Sequence, residues 1–374
     1  MRAPSYPDED LQQRLRTYIH DTWDTLSRDL SHPISAAADV KVESEEGSRP
    51  LIYISPKEDK DQVAARIRER VGGRRRIEPE VVVLPPDPNA ITEHGLLYLP
   101  GPYVVPGGRF NEFYGWDSYF IQHGLLRNGR IGLAASMVDQ ALYEVEHYGM
   151  VLNANRTYYL SRSHPPFLSR MVKEQYEAGA SREWLAKAVG LVEKFYYFWK
   201  VPPHLNQATG LSRYYDLGSG PAPEVEFSER DAAGKTHYER VRDYLRTARI
   251  NAYDPDLYYD RAQDQLTPLA YVGDRSMRES GFDPTDRFGP LNLDVIHFAP
   301  VCLNVLLNRM ELDLSLIHEE LGNSDTAEVW AVKARESGEL VNRYFWNEDA
   351  GLYFDYHLRE GKQREYPFLT TFWP

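Results

Sequence analysis

The stretch from Pro106 to Tyr119, PGGRFNEFYGWDSY, concentrates side chains that could bind a sugar. Arg109, Glu112 and Asp117 can exchange hydrogen bonds with hydroxyl groups, and the aromatic residues between them offer flat apolar faces that suit the C–H side of a sugar ring. A pair of glycines ahead of the arginine lets the backbone turn sharply and approach a ligand. The alternative is a tight turn into a core helix, with the rings packed inside. Because functional residues concentrate on loops of a rigid scaffold, we interpret this stretch as a candidate binding loop.

A second segment, MRESGFDPTDRF from Met277 to Phe288, holds a candidate catalytic carboxyl group. Cleavage of a glycosidic bond needs two carboxyl groups, one that protonates the departing oxygen and one that activates water or attacks the sugar. Asp283 follows Gly281, which reduces crowding, and is close in sequence to Arg278 and Arg287. Burial would raise the pKa of this carboxyl and the arginines would lower it, so its protonation state stays open. The alternative is an ordinary aspartate in a turn.

These two segments and three others resemble the sequence motifs of the trehalases, family 37 of the glycoside hydrolases. The first segment matches the first signature of that family, and RESGFD matches the segment that carries its general acid. The resemblance continues through LNANRTYYLSRSHPPFL (Leu152 to Leu168), GLSRYY (Gly210 to Tyr215) and PAPEVE (Pro221 to Glu226). It covers nearly everything from about Ile91 to the last residue.

The resemblance implies a reaction, a fold and a set of site residues. It implies hydrolysis of α,α-trehalose to two glucose molecules with inversion, in an (α/α)6 toroid whose sugar site lies at one end of the barrel, with Asp283 as the general acid. The residues that match substrate-binding positions are Arg109, Trp116, Asp117, Asn153, Arg162, Ser163, Glu224, Arg278 and Gly281. Arginines and carboxylates suit this task, because charge-assisted hydrogen bonds to sugar hydroxyls are stronger than neutral ones. For Arg162 the alternative is a plain salt bridge.

Two features of the trehalases have no counterpart in the sequence. They are the second signature, a QWDxPxGW segment, and a later glycine-rich segment whose glutamate is the general base of the family. An inverting hydrolase needs that carboxylate about 6.5–9.5 Å from the acid, with room for water. The chain is therefore expected to be a trehalase truncated at its C-terminus, with an incomplete toroid, exposed apolar faces and negligible activity in isolation. Glu112 and Glu224 are the first candidates for a base within the chain.

Composition excludes several other classes of function. The 374 residues are 42% hydrophobic, which supports a substantial core, and the net charge of −13 argues against nucleic acid as a partner. No apolar run reaches the ~18 residues of a membrane span, and the N-terminus has no signal-peptide core, so the expected location is the cytoplasm. The single cysteine, Cys302, excludes an internal disulfide, and the histidines lack metal-ligand spacing. We assign no metal or other cofactor, and trehalose is the expected small-molecule partner.

Helical spacing dominates the chain after the first signature and predicts an all-α catalytic domain. Helices are predicted at residues 8–30, 60–71, 117–128, 131–148, 238–248, 291–321 (with a kink or break at Pro300) and 327–345, and one more after the cap residue Ser181. Between residues 37 and 100 the runs LIYIS and EVVVLPP are typical of short extended segments. We divide the chain into residues 1–100, an N-terminal helix and arm that pack on the catalytic domain, and residues 101–374, the partial toroid.

Two other functions stay open on the sequence alone. Another toroidal α-glycosidase that acts on a different disaccharide would share the fold, and a panel of glycans would identify it. A non-catalytic remnant of a trehalase would bind trehalose without releasing glucose.

Overall fold

The structure, a computed structural model, describes residues 9–29, 49–71, 79–226, 230–282 and 285–374. Asp283 lies outside the described residues. The α-helices are α1 (Glu9–Leu26), α2 (Lys60–Val71), α3 (Asp117–Arg127), α4 (Ile131–Tyr148), α5 (Leu168–Glu177), α6 (Arg182–Trp199), α7 (Pro223–Glu226), α8 (His237–Thr247), α9 (Pro268–Glu279), α10 (Val301–Glu320) and α11 (Ser324–Phe345). Single turns of 3-10 helix occur at Pro88–Ala90, Thr157–Tyr159, Pro255–Leu257 and Leu369–Phe372, and a longer run at Pro290–His297.

The strands are short, and most are hairpin ends or local pairs. They are β1 (Ser27–Arg28), β2 (Leu51–Ile54), β3 (Glu80–Val83), β4 (Leu96–Leu97), β5 (Tyr103–Val104), β6 (Tyr259–Asp260), β7 (Gln265–Leu266), β8 (Phe298–Ala299), β9 (Trp346–Asn347), β10 (Leu352–Tyr353), β11 (Tyr356–His357) and β12 (Lys362–Gln363). The largest sheets in the described chain have three strands, in the orders β3-β2-β4 and β12-β11-β8.

The main body is built from helices that bury their apolar stripes against one another. Helix α10 packs along α11 and also on α5 and α6, while α4 packs on α3, α5 and α6. The fully buried side chains Phe195 and Trp199 of α6 and Met310 and Leu314 of α10 belong to the same apolar core. The predicted all-α architecture of this body is confirmed.

Three helices of the body, α5, α9 and the four-residue α7, were not predicted from the sequence. Helix α9 carries buried polar side chains, among them Asp274, Arg275 and Glu279, so the apolar periodicity that reveals a helix is interrupted on its inward face. Helix α5 has the spacing Leu168, Met171 and Val172 but begins without a capping side chain.

The single helix predicted at residues 291–321 is broken, as Pro300 suggested. Residues Pro290–His297 form 3-10 helix, in which Leu291 and Asn292 have positive φ, and α10 starts only at Val301. Proline at the residue before the helix cannot donate the hydrogen bond that a continuous helix would require there.

The N-terminal arm contains a parallel sheet that reaches the candidate site. Strands β2 and β3 are parallel and are connected through α2, because parallel neighbours need a crossover connection. Strand β4 extends this sheet, and the backbone N–H of Leu97 donates to the carbonyl of Asn155 at 2.8 Å. The arm is therefore hydrogen bonded to the LNANR segment.

Helix α1 contacts the body through its C-terminal half. The Trp23 ring lies against Gly124 of α3, where a Cβ atom would come within 2.8 Å of it, and its indole donates to Asn128 at 2.7 Å. Leu11 and Leu15, in the first half, are exposed.

Within the described ranges no helix is both long and apolar enough to cross a membrane. Nor do these residues bring three or more His, Cys, Asp or Glu side chains together in a way that could hold a metal ion. Cys302 is buried, with its sulfur 3.6 Å from the Tyr214 hydroxyl.

Candidate active site

Two charged side chains of the first-signature loop, Arg109 and Asp117, have no ion-pair partner among the described residues. Arg109 is exposed, with its guanidinium 4.6 Å from the centre of the Phe110 ring, and it forms no hydrogen bond or ion pair with another described residue. Asp117 begins α3 and has no ion-pair partner among the described residues. Burial raises the pKa of its carboxyl, although its own backbone N–H partly opposes this. The half-buried indole of Trp116 likewise finds no hydrogen-bond acceptor in the described chain.

Trp116 connects this loop to the segment that leads to Asp283. Its ring lies 5.3 Å from that of Phe282 and 6.0 Å from that of His164, measured between centroids. Gly281 has φ +70°, and a Cβ atom there would lie only 2.9 Å from the indole. The glycine therefore makes room for Trp116 and adopts a backbone conformation that other residues rarely tolerate.

Arg162 is the centre of a buried cluster of charges. Its Nε donates to Asp216 at 2.8 Å and its Nη1 to Glu224 at 2.6 Å, and it is 1% exposed. Asp216 also lies 3.3 Å from Nε of Arg275. Burial alone would raise the pKa of Asp216, but Arg162 and Arg275 outweigh burial and hold it below its ordinary value. Nη2 of Arg162 is buried and has no acceptor within the described part of the chain.

Arg278 occupies the last turn of α9 and is paired with a carboxylate one turn earlier. Its Nε donates to Asp274 at 3.2 Å. Burial would lower the pKa of Arg278, but Asp274 and Glu224 together raise it. Glu224 therefore acts electrostatically on both Arg162 and Arg278, which brings the PAPEVE and RESGFD segments to one place.

Asn153 and Ser163 lie beside these arginines but have mainly local partners. The Asn153 amide donates to the backbone carbonyl of Arg278 at 3.4 Å. The Ser163 hydroxyl donates to the carbonyl of Val151 at 2.6 Å, and its backbone N–H donates to buried Glu279 at 3.1 Å. The serine hydroxyl can thus only accept a hydrogen bond from a ligand.

Several ion-pair partners at and around the site were missed by sequence reasoning. Asp216 for Arg162, Asp355 for Arg287 and Arg156 for Glu112 lie far from their partners in the chain and leave no local pattern, whereas Asp274 lies one helical turn before Arg278 on a helix that was not predicted. Arg287 donates to both oxygens of Asp355 at 2.6 Å. Both arginines that flank Asp283 in the sequence are therefore already balanced by other carboxylates.

His164 supports the loop as a neutral group. Its Nδ1 accepts the backbone N–H of Trp116 at 3.4 Å. Burial, together with the nearby charge of Arg162, lowers the pKa of His164 to about 3. An imidazole that stays unprotonated at neutral pH can keep accepting this hydrogen bond.

A cavity of ≈ 380 Å³ borders the cluster but is distinct from the predicted site. Arg275, Ser161 and Tyr158 line it, whereas none of the predicted catalytic or substrate-binding residues does. We base the candidate site on the convergence of Trp116, Arg162, Glu224 and Arg278 instead, because the cavity lacks their chemistry.

Comparisons with known proteins point to one family. The sequence model of the family described as Trehalase matches residues 4–374. The cytosolic neutral trehalase of Neurospora crassa is 36% identical over 299 residues, 73% of this chain, and the probable trehalase of Eremothecium gossypii is 32% identical over 98% of it. The solved structure of neutral trehalase Nth1 from Saccharomyces cerevisiae, 29% identical, superposes with a TM-score of 0.81 and covers 96% of this chain. The predicted trehalase-type fold is thereby confirmed.

The chain matches only part of the length of each of these relatives. The matched regions span 39% of the Neurospora crassa protein, 54% of the Eremothecium gossypii protein and 72% of the solved yeast chain. The chain thus spans about half the length, or less, of the curated relatives it matches.

Proposed function

The chain belongs to the trehalase family, and on that basis we propose that it binds α,α-trehalose and takes part in its hydrolysis to two glucose molecules with inversion. One observation carries the proposal: Trp116 packs on Gly281 and Phe282, just before Asp283, and Glu224 acts on both Arg162 and Arg278, the latter in the same segment as Asp283. The fungal relatives are named cytosolic neutral trehalases, which supports a cytosolic location.

The groups at the site suit an uncharged disaccharide. The indole face of Trp116 can cover the C–H side of one sugar ring. Arg109 and Asp117 can exchange charge-assisted hydrogen bonds with hydroxyls, since neither is paired with another described residue. The buried Nη2 of Arg162 would find in a sugar hydroxyl the acceptor that the described chain does not give it.

In the proposed reaction Asp283 protonates the glycosidic oxygen as the bond to the anomeric carbon breaks. Water attacks that carbon from the opposite face and loses its proton to a second carboxylate, so one glucose is released as the β anomer and the other as the α anomer. The described carboxylates near the arginines already have partners: Glu112 holds Arg156, while Asp216, Glu224 and Asp274 hold Arg162 and Arg278. We assign them to binding and positioning, and none of them to the base.

The test starts from purified residues 1–374. Calorimetry should detect binding of trehalose and weaker or no binding of maltose and sucrose. If residues 1–374 release glucose from trehalose, Asp283→Asn should lower that rate about 10²–10⁴-fold and retain trehalose affinity, because only proton donation is lost.

Trehalose binding and glucose release together distinguish the proposal from its alternatives. Absence of trehalose binding would contradict the proposal. Tight binding with no glucose release above buffer would replace hydrolysis by the binding-only alternative. Full turnover in Asp283→Asn would remove Asp283 from the acid role.

A further inference from the structure

The two buried arginines of the candidate site, Arg162 and Arg278, lie on different elements of the fold, so other contacts must fix the distance between them. Arg162 follows the 3-10 turn at residues 157–159, whereas Arg278 ends α9. A hydrogen-bonding site must hold its groups within about 0.5 Å of their productive positions, and long arginine side chains do not achieve this alone. The contacts behind Arg278 show what fixes them.

Asp274 holds Arg278 and is itself held from α8. Its carboxylate, 2% exposed, lies 2.8 Å from Nε2 of His237 and accepts the hydroxyl proton of Tyr238 at 3.0 Å. Burial would raise the pKa of Asp274, but Arg278 and His237 outweigh burial and keep it well below its ordinary value. The orientation of this ionised carboxylate therefore depends on α8 as well as on Arg278.

Tyr238 makes a second hydrogen bond that leads to Arg162. Its hydroxyl oxygen accepts the backbone N–H of Ala222 at 2.8 Å. Ala222 immediately precedes α7, which carries Glu224, the partner of Arg162 Nη1. One buried hydroxyl thus donates to the group that holds Arg278 and accepts from the turn that holds Arg162.

We propose that Tyr238 is a positioning residue for the sugar site, setting the distance and orientation of Arg162 relative to Arg278. The inference rests on the proposed binding of trehalose. The hydroxyl has one proton and two lone pairs, and Asp274 and Ala222 use its proton and one lone pair, so Tyr238 acts through the two arginines. Removing the hydroxyl deletes neither Arg162 nor Arg278. It breaks the hydrogen-bonded link between the turn at Ala222 and the carboxylate of Asp274.

The experiment compares Tyr238→Phe with a matched control, Tyr271→Phe. The two rings pack edge to face in one apolar cluster, 5.0 Å apart, but the Tyr271 hydroxyl makes no hydrogen bond among the described residues. In calorimetric titrations of residues 1–374, Tyr238→Phe should weaken trehalose affinity roughly three- to tenfold, the effect of one buried hydrogen bond. Tyr271→Phe should bind as the unsubstituted chain does.

A double-mutant cycle with Asp274→Ala, which removes the acceptor of the Tyr238 hydroxyl, separates positioning from simple stability. If Tyr238 acts through Asp274, its substitution should lose most of its effect on affinity in the Asp274→Ala background. Additive effects on affinity would overturn the inference. So would full affinity in a Tyr238→Phe variant whose thermal midpoint is lowered, because the tyrosine would then be a packing residue only.

Loss of the proposed trehalose binding can be told apart from failure of the inference on Tyr238. If the unsubstituted chain and Tyr271→Phe both fail to bind trehalose, the proposed function falls and the inference falls with it. If both bind and Tyr238→Phe binds equally well, only the inference is wrong.

Discussion

Arg162, Arg275 and Arg278 each lie against a buried carboxylate, whereas Arg109 and Asp117 on the first-signature loop have no ion-pair partner among the described residues. We call the first set the ion-paired side (Arg162, Arg275, Arg278, Asp216, Glu224, Asp274) and the second the open side (Arg109, Trp116, Asp117). The pKa of Asp216 is lowered by Arg162 and Arg275, and that of Asp274 by Arg278 and His237, in each case against burial. The pKa of Asp117 is raised, chiefly by burial.

The difference separates two tasks that one site must perform. Charges that are already hydrogen bonded to one another stabilise a geometry before any ligand arrives, which reduces the ordering cost of binding. Groups without protein partners keep their hydrogen bonds for the ligand. The ion-paired side is therefore expected to govern stability, and the open side to govern affinity.

The largest effect should come from breaking the ion-paired side at Asp216. Asp216→Ala leaves Arg162 and Arg275 buried without this carboxylate, and the free energy of unfolding should fall by about 3–5 kcal/mol, as for other broken buried pairs. Denaturant titration at pH 7 measures it. Asp243→Ala, which removes a carboxylate near the surface that also contacts arginines, is the matched control and should cost far less. Equal losses would show that the ion-paired side does not govern stability.

A smaller effect, on trehalose affinity instead of stability, is expected for Arg109→Ala on the open side. Loss of its charge-assisted hydrogen bonds should weaken trehalose affinity about 10- to 100-fold, with the thermal midpoint unchanged because Arg109 has no ion pair to lose. Arg127→Ala, another exposed arginine, serves as the control and should leave both quantities unchanged. Unaltered affinity in a chain that binds trehalose would assign Arg109 to the scaffold.

The smallest expected effect is on the pH dependence of stability, and it compares Asp117 on the open side with Asp216 on the ion-paired side. The folded pKa of Asp117 lies above its unfolded value near 3.9, so the folded state binds more protons, and the wild-type chain loses stability as pH rises through the folded pKa. Asp117→Asn should therefore be more stable than wild type at pH 7, by less than about 1 kcal/mol, with no difference at acidic pH, while its trehalose affinity falls.

Asp216 should show the reverse dependence on pH. Its folded pKa is below the unfolded value, so its contribution is present above about pH 4 and is lost as pH falls through the folded pKa. Thermal midpoints of both variants and wild type between pH 3 and 8 measure the two trends, and trends of the same sign would contradict the division of the site.

Local patterns predicted most of the helices because their signals lie within a few residues. The apolar stripe of α4 predicted bounds that match those observed, and the cap residue Ser181 predicted the start of α6. The motif residues could be named individually. Helix α9 was not predicted because its inward face is polar. Asp274, Arg275 and Glu279 on that face are buried polar residues and do not belong to the apolar core. The polar residues that interrupt the apolar periodicity of this helix are the ones that face the candidate site.

The partners of Arg162 and Arg287 could not be predicted from the sequence. Arg162 and Asp216 are 54 residues apart, and Arg287 and Asp355 are 68 apart, so no spacing rule connects them. Sequence proximity instead suggested that Arg278 and Arg287 act on Asp283, whereas each has its own carboxylate. The pairs of Arg162 and Arg287 are set by tertiary packing, whereas Arg278 and Asp274 are four residues apart on α9.

The balance of charges at the site has a consequence for how ligands reach it. Among the described residues of the two sides, the guanidiniums of Arg109, Arg162, Arg275 and Arg278 are matched in number by the carboxylates of Asp117, Asp216, Glu224 and Asp274. An uncharged disaccharide is neither steered nor repelled at long range, so its capture should depend little on ionic strength. A sugar phosphate would bring negative charge towards a chain of net charge −13 and a site with no surplus of cations to receive it.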